Sequence, residues 1–272
     1  MNQKLSQEYF EAVSFMNDPT YLNYYQVKRT HLLLAVLLTF ITEVYSQKNV
    51  NTFGFVVKPI FPSKYFRTGP KNFEVNNIDF NIAQQSGFSA GGIVRHGITK
   101  SLSFETGINY VKRLYDLKIT DSAFVGKSNF KIVGYEIPMQ VLVFVQLSKD
   151  IWMNAALGPS IDIYPSDIKT LSSYFVNITN RNSRSVFNTG ILANLGWEWR
   201  TKKDGYIYFG ACYHRSFNDI YNSTIGYIRD PKALTPYAQG SIDLSGDYLT
   251  FDIRYYFHED PDKKIIKRIS KE

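Results

Sequence analysis

Between Lys131 and Tyr164 the chain reads KIVGYEIPMQVLVFVQLSKDIWMNAALGPSIDIY. Two long alternating runs flank the polar turn Ser148-Lys149-Asp150. In the second run Ile151, Met153, Ala155, Leu157, Ile161 and Ile163 share one face. Trp152, Asn154, Ala156, Gly158, Ser160 and Asp162 share the other. In the first run Ile137, Met139, Val141, Val143 and Val145 oppose Glu136, Gln140 and Gln146. Side chains alternate across a strand, so each run is a β-strand with one apolar face. Soluble strands average about 5–6 residues, whereas a strand crossing a bilayer at a tilt needs about 9–11. Both runs are long enough to span. Alternation alone also describes a half-buried strand of a soluble barrel or sandwich, and that reading stays open here.

The same pattern recurs along the chain. Thr52–Ser63 puts Phe53, Phe55, Val57 and Phe61 on one face. Gln85–Arg95 follows a polar stretch. Ser101–Lys112 sets Leu102, Phe104, Ile108 and Tyr110 against Ser103, Glu105, Gly107 and Asn109. Val186–Arg200 turns Phe187, Ile191, Ala193, Leu195, Trp197 and Trp199 outward. Tyr206–Phe217 and Asp247–Phe257 complete the set, the latter with Leu249, Phe251, Ile253, Tyr255 and Phe257 outward. With the central hairpin this predicts an all-β fold, an antiparallel up-and-down transmembrane β-barrel of about eight strands over residues 47–257. Eight is the smallest usual number for such barrels. The connectors alternate in length. His96–Lys100, Ser148–Asp150 and Thr201–Gly205 are short. Lys64–Gln84, Leu114–Phe130, Pro165–Arg184 and Asn218–Gly246 are long and polar. Short turns on one rim and long loops on the other are the habit of outer-membrane barrels.

The remaining segments differ in kind. Residues 1–27 form a polar leader of unclear role. Residues 28–46 carry Lys28-Arg29, an apolar run from Leu32 to Ile41, and Val44 and Ser46 at the −3 and −1 positions of a cleavage site, the three parts of a signal peptide. The mature chain is expected to begin near Gln47. Residues 258–272 form a basic tail with Lys263, Lys264, Lys267, Arg268 and Lys271, which would lie in the periplasm. The net charge of +7 rests in part on these ends, and no nucleic-acid-binding motif accompanies it. The single cysteine, Cys212, excludes an intrachain disulfide and a cysteine-based zinc cluster.

The inward face carries Glu105, Glu136, Asp162, Glu198 and Asp252 with Arg95 and Arg254. A narrow barrel would desolvate them unless they pair. Eight strands leave just enough interior for side chains to fill, so the expectation is an ion-paired plug with Gly91, Gly107, Gly158, Gly190 and Gly210 making room. A passive pore would need more strands. No catalytic, cofactor or metal residues are assigned. The one alternative is a hydrolase resembling outer-membrane lipid A deacylases, with His214 as base and Ser216 as nucleophile. Phe217 stands where an Asn commonly follows, and the phasing points His214 to the lumen.

Tyr135-Glu136-Ile137-Pro138, followed by a short turn and Leu157-Gly158-Pro159, resembles the PorT-like outer-membrane β-barrel family of Bacteroidetes, small barrels of the OmpA/OmpX type. Gly87-Phe88 with Gly91, the strand Leu102–Tyr110 and Gln47 are similar to the corresponding parts of that family. The resemblance covers roughly residues 52–257. It implies a Gram-negative outer-membrane barrel without catalytic residues. Function then falls to the surface loops, in a structural, adhesive or envelope-accessory role. The partners expected are outer-membrane lipid, and envelope proteins or extracellular ligands through loops 165–184 and 218–246, with no nucleic acid. Tyr221, Tyr227, Tyr237, Pro231 and Pro236 are expected to give the second loop an aromatic surface.

Overall fold

The computed structural model describes residues 50–63, 65–122, 124–182, 186–201, 205–230 and 235–257. The expected leader 1–27, signal segment 28–46 and basic tail 258–272 lie outside them. Thirteen strands are formed among the described residues: β1 (Asn51–Phe61), β2 (Lys71–Val75), β3 (Ile78–Gly97), β4 (Leu102–Asp121), β5 (Phe124–Gln146), β6 (Ile151–Ile163), β7 (Ile168–Leu171), β8 (Phe175–Arg181), β9 (Phe187–Arg200), β10 (Tyr206–Ser216), β11 (Asp219–Tyr227), β12 (Ala238–Ser245) and β13 (Tyr248–Tyr256).

Eight of them, β1, β3, β4, β5, β6, β9, β10 and β13, pair antiparallel in that order, and β13 returns to pair with β1. The ring is an up-and-down barrel. Its closure leaves no free edge along the spanning part, so the backbone's polar groups are satisfied between strands, as a bilayer demands. Each expected strand is present. The expected phasing also holds, with Phe55, Val57, Ile108, Leu157, Leu195, Trp197 and Phe251 exposed on the outside and Glu105, Glu136, Asn194, Glu198 and Asp252 buried within.

The outward face is bounded by aromatic side chains at two levels. Trp199, Tyr255 and Phe257 stand near the short turns. Phe61, Phe88, Tyr135, Phe187 and Phe217 stand at the far end, where Tyr110 lies 5.8 Å from Phe88 and 6.0 Å from Tyr135, ring to ring. On β9, Phe187 and Trp199 mark the two levels. At roughly 3.3 Å per residue and a tilt of about 40°, this stretch rises about 30 Å, the thickness of a hydrocarbon core. The short turns close the lower rim. Thr201 N–H donates to Gly205 O at 3.1 Å, and Gly205 takes φ 90°, which a side chain would resist.

The long connectors depart from expectation. Most of their described residues lie in strands rather than loops. β3, β4 and β5 continue about ten residues past the upper aromatic level, and β2 joins them through the two-residue Asn76-Asn77 turn, both residues at positive φ. In the third and fourth long connectors, β7, β8, β11 and β12 form a second sheet, ordered β12-β11-β8-β7. The two sheets enclose an apolar core of Ile78, Phe80, Ile82, Tyr115, Leu117, Ile119, Phe130 and Ile132 from one side and Phe175, Tyr221, Ile225, Tyr227 and Leu244 from the other. A sandwich therefore sits on the upper end of the barrel. The expectation that Tyr221 and Tyr227 form a binding surface is overturned: both are buried in this core because alternation in β11 turns them inward. Tyr237 is exposed, as expected. Pro231 lies outside the described residues.

In β4 and β5 one continuous face passes from lumen to sandwich core. In β3 it cannot. Ser89, Ile93 and Arg95 point into the barrel, but Ile78, Phe80 and Ile82 point into the sandwich. The register with β4 shifts between Gln85 and Phe88, which face Leu114 and Lys112, so β3 carries one residue more than its partner there. This bulge moves odd positions to even and keeps both buried faces on the inside.

Candidate functional site

The lumen is the first place to look for chemistry, because its ionisable groups are held by rigid strands on all sides. Five buried carboxylates, Glu105, Glu136, Asp162, Glu198 and Asp252, meet five permanent cations, Lys58, Arg95, Arg113, Arg200 and Arg254. Toward the short turns, Arg95 reaches Glu105 at 3.1 Å and Glu198 at 2.6 Å, and Arg200 closes on Glu198 at 2.6 Å. Arg254 bridges Glu105 and Asp252, the latter at 2.7 Å. The Tyr256 hydroxyl donates to Glu105 at 2.6 Å, and the Asn194 amide to Asp252 at 3.0 Å. The guanidinium of Arg95 also lies 3.8 Å from the centre of the Tyr256 ring. Paired, hydrogen-bonded and stacked, these charges fill the interior.

Nearer the sandwich a second group gathers. Glu136 accepts from Asn109 at 2.9 Å, from the Tyr248 hydroxyl, and from Lys58 at 3.4 Å. His214 stacks on Tyr248, ring centres 4.6 Å apart. Its Nδ1 faces the Gly246 carbonyl at 3.0 Å, which fixes a proton on that nitrogen. Its Nε2 lies 3.1 Å from Ser160 Oγ and 2.9 Å from Asp162 Oδ2. Gly190 is needed here: a Cβ would stand 2.8 Å from His214 Nε2 and 3.0 Å from Ser160 Oγ. Arg113 donates to the Tyr164 hydroxyl at 2.6 Å and the Gly246 carbonyl at 3.2 Å, tying barrel wall to sandwich floor.

Glu136, Asp162 and His214 present ligand atoms of metal-binding type within 4.8 Å of one another. Both oxygens of Glu136 already serve other donors, and Lys58 and Arg113 bring positive charge to the same space. The donors present fit an ion-paired network better than a cation site.

His214 and Ser216 both point inward and are fully buried, His214 as its phasing implied. They do not act on each other. Ser216 Oγ donates to the Asn218 carbonyl at 2.8 Å and receives the Asn188 amide at 3.1 Å, while His214 turns to Asp162 and Ser160. Ser160 comes close to the imidazole instead, but Asp162 lies on the same nitrogen, so no base-orienting carboxylate stands behind the ring.

Beyond the lumen, the sandwich offers the larger exposed surface. Its tip is locked by Arg229, which donates to Asp121 at 2.8 Å and holds that carboxyl below its ordinary range. Phe124 packs between Tyr174 and Tyr227, at 5.0 and 5.7 Å. On the side of the second sheet, the Arg181 backbone N–H and guanidinium both donate to Asp167, at 2.9 and 3.0 Å, and hold its carboxyl low as well.

No family model matches the chain, and no curated protein matches it. Among solved structures, it is similar to the outer membrane protein OprG from Pseudomonas aeruginosa, at 12% identity and a TM-score of 0.50, covering 80% of this chain and 100% of that one. The β domain of the Bordetella autotransporter BrkA overlays at 7% identity and a TM-score of 0.24, over 78% of this chain and 100% of that one. The translocator domain of the autotransporter NalP from Neisseria meningitidis overlays at 6% and 0.19, over 88% and 98%. Of these three, OprG overlays closely enough to bear on the fold, and at that identity the likeness extends to the fold and no further.

Proposed function

We propose that this chain is a non-enzymatic outer-membrane protein of a Gram-negative bacterium that holds a rigid β-sandwich at the cell surface and acts by binding through it. The observation that carries the reading is the continuity of β3, β4 and β5, which leave the bilayer as strands and form half of a sandwich whose core is apolar. A barrel built only to seal itself would have no use for this second core. The lumen supports the same reading, since most of its charges pair with one another and Arg113 is held by the Tyr164 hydroxyl and the Gly246 carbonyl. The role is structural, adhesive or accessory to the envelope. Within the expected loops 165–184 and 218–246, the strands β7, β8, β11 and β12 present the second sheet's outer face to partners, and the PorT-like resemblance rests on the residues that carry it.

Orientation is the testable premise. Cys212 is buried, which shields it from polar reagents. A cysteine introduced at Ser241, on the sandwich, should react with a membrane-impermeant maleimide on whole cells. One introduced at Lys149, in a short turn, should react only after lysis. The opposite pattern, or equal labelling without lysis, would sink the proposal.

A further inference from the structure

The outer face of the strands that leave the barrel is neither apolar nor neutral. Tyr110 and Tyr135 lie opposite each other and end the upper aromatic level. One step up, Lys112 stands 5.8 Å from the centre of the Phe88 ring. Lys131 follows, opposite Leu114, and then Asn129, opposite Asp116. Further out Lys118 and Lys127 are direct cross-strand partners, both exposed. Like charges placed opposite each other destabilise a sheet unless an anion lies between them.

This face is concave. Two adjoining clefts of about 810 and 680 Å³ share Gln85, Asp116 and Asn129, and β7 walls the first with Lys169. Asp167 also lines it, but Arg181 already neutralises that carboxylate. Among the described residues, none of the five lysines makes an ion pair; within the clefts Asp116 is the one carboxylate left to oppose them, and Asp79 and Glu74 stand on the same outer face farther out.

We infer that this ledge binds the phosphorylated saccharide headgroup of a glycolipid in the outer leaflet. The aromatic level marks where acyl chains give way to headgroups. Lys112 and Lys131 stand at the depth of the first phosphate. Lys118 and Lys127 take a second, about 4–6 residues farther out, or roughly 13–20 Å. Gln85 and Asn129 lie between the two tiers, where amides meet sugar hydroxyls. The inference rests on the orientation proposed above.

The test uses purified full-length barrel in neutral detergent, titrated with bis-phosphorylated lipid A and followed by native mass spectrometry. The double variant Lys118→Glu, Lys131→Glu should bind at least about tenfold more weakly, given roughly 1 kcal/mol per lysine near an anionic headgroup. The control pair Lys100→Glu, Lys149→Glu, on the opposite rim, should bind as the parent does. Unchanged heat-modified migration on gels shows that the double variant is folded. A second arm keeps the protein unaltered: dephosphorylated lipid A should bind at least about tenfold more weakly than the phosphorylated form. Equal affinity in either arm overturns the inference. Displacement of lipid A by millimolar inorganic phosphate overturns it too, since it would mark a site for free anions. Reversed labelling on whole cells would remove the orientation instead, while the lipid measurement in detergent stands apart from it.

Discussion

Glu105 accepts from Arg95, Arg254 and Tyr256 at once, and none of the four side chains reaches solvent. Burying such charges is costly, and only their mutual pairing offsets it. Removing the carboxylate leaves two guanidiniums short of a partner, although Glu198 and Asp252 each retain one of them. We expect Glu105→Ala to destabilise the barrel by about 3–5 kcal/mol. Glu105→Gln, which keeps an acceptor, should cost less. Reversible urea unfolding in lipid vesicles gives both values, and a cost near zero for Glu105→Ala would mean that the lumen charges are solvated rather than paired. The seven inward charges named from alternation alone all take part in this lumen. Lys58, Arg113 and Arg200 were not legible in the same way. Lys58 finds Glu136 across 78 positions of sequence. Arg113 and Arg200 fall where the strands were expected to end, and only the extension of β4 and the inward turn of the rim make them interior groups.

At the scale of the element, the eight spanning strands were legible because their outer faces are apolar without interruption and their inner faces polar or small. Leu195 on β9 shows what that face is for. It is exposed on the barrel wall, level with Ala155 and Ala211 on its neighbours and well below Phe187. Leu195→Arg should destabilise the barrel in lipid by about 2–4 kcal/mol, the cost of a cation near the midplane. Trp199→Arg, at the lower aromatic level, should cost about 0–1 kcal/mol. The same unfolding titration separates them, and equal small costs would mean that no hydrocarbon surrounds this wall. The outer halves of β3 and β4 were also written in the sequence. Ile78, Phe80 and Ile82 alternate with Asp79, Asn81 and Ala83, and Tyr115, Leu117 and Ile119 with Asp116, Lys118 and Thr120. Their polar members made the segments look like loops. β8 could not be read this way, because two of its inward residues, Asn177 and Thr179, are polar. The Thr179 and Ser223 hydroxyls bond each other and the Asn177 side-chain oxygen inside the sheet, at 2.7–3.3 Å.

At the largest scale, the described residues form two buried interiors of opposite character stacked on three shared strands. The lower is ionic and closed by a ring, the upper apolar and closed by a second sheet. Such interiors need not open together. Phe80 is fully buried and stacked on Phe73 at 4.6 Å, with its ring in the upper core. Phe80→Ala should weaken that core by about 3–5 kcal/mol. Hydrogen exchange should then show β8, β11 and β12 opening at lower free energy, while β9 and β10 keep their protection. Simultaneous loss in both sets would mean that barrel and sandwich form one cooperative unit.

The extra residue in β3 between Gln85 and Phe88 has the logic of a frameshift. Below it the strand is read in one frame, with odd positions facing ions; above it the other frame applies, and even positions face oil. Loss of one residue there would leave the membrane-spanning message intact and garble the one above, turning Asp79, Asn81 and Ala83 into the core and Ile78, Phe80 and Ile82 to water. Length at that point is therefore under a tighter constraint than composition, since many residues could fill the bulge but none could be omitted.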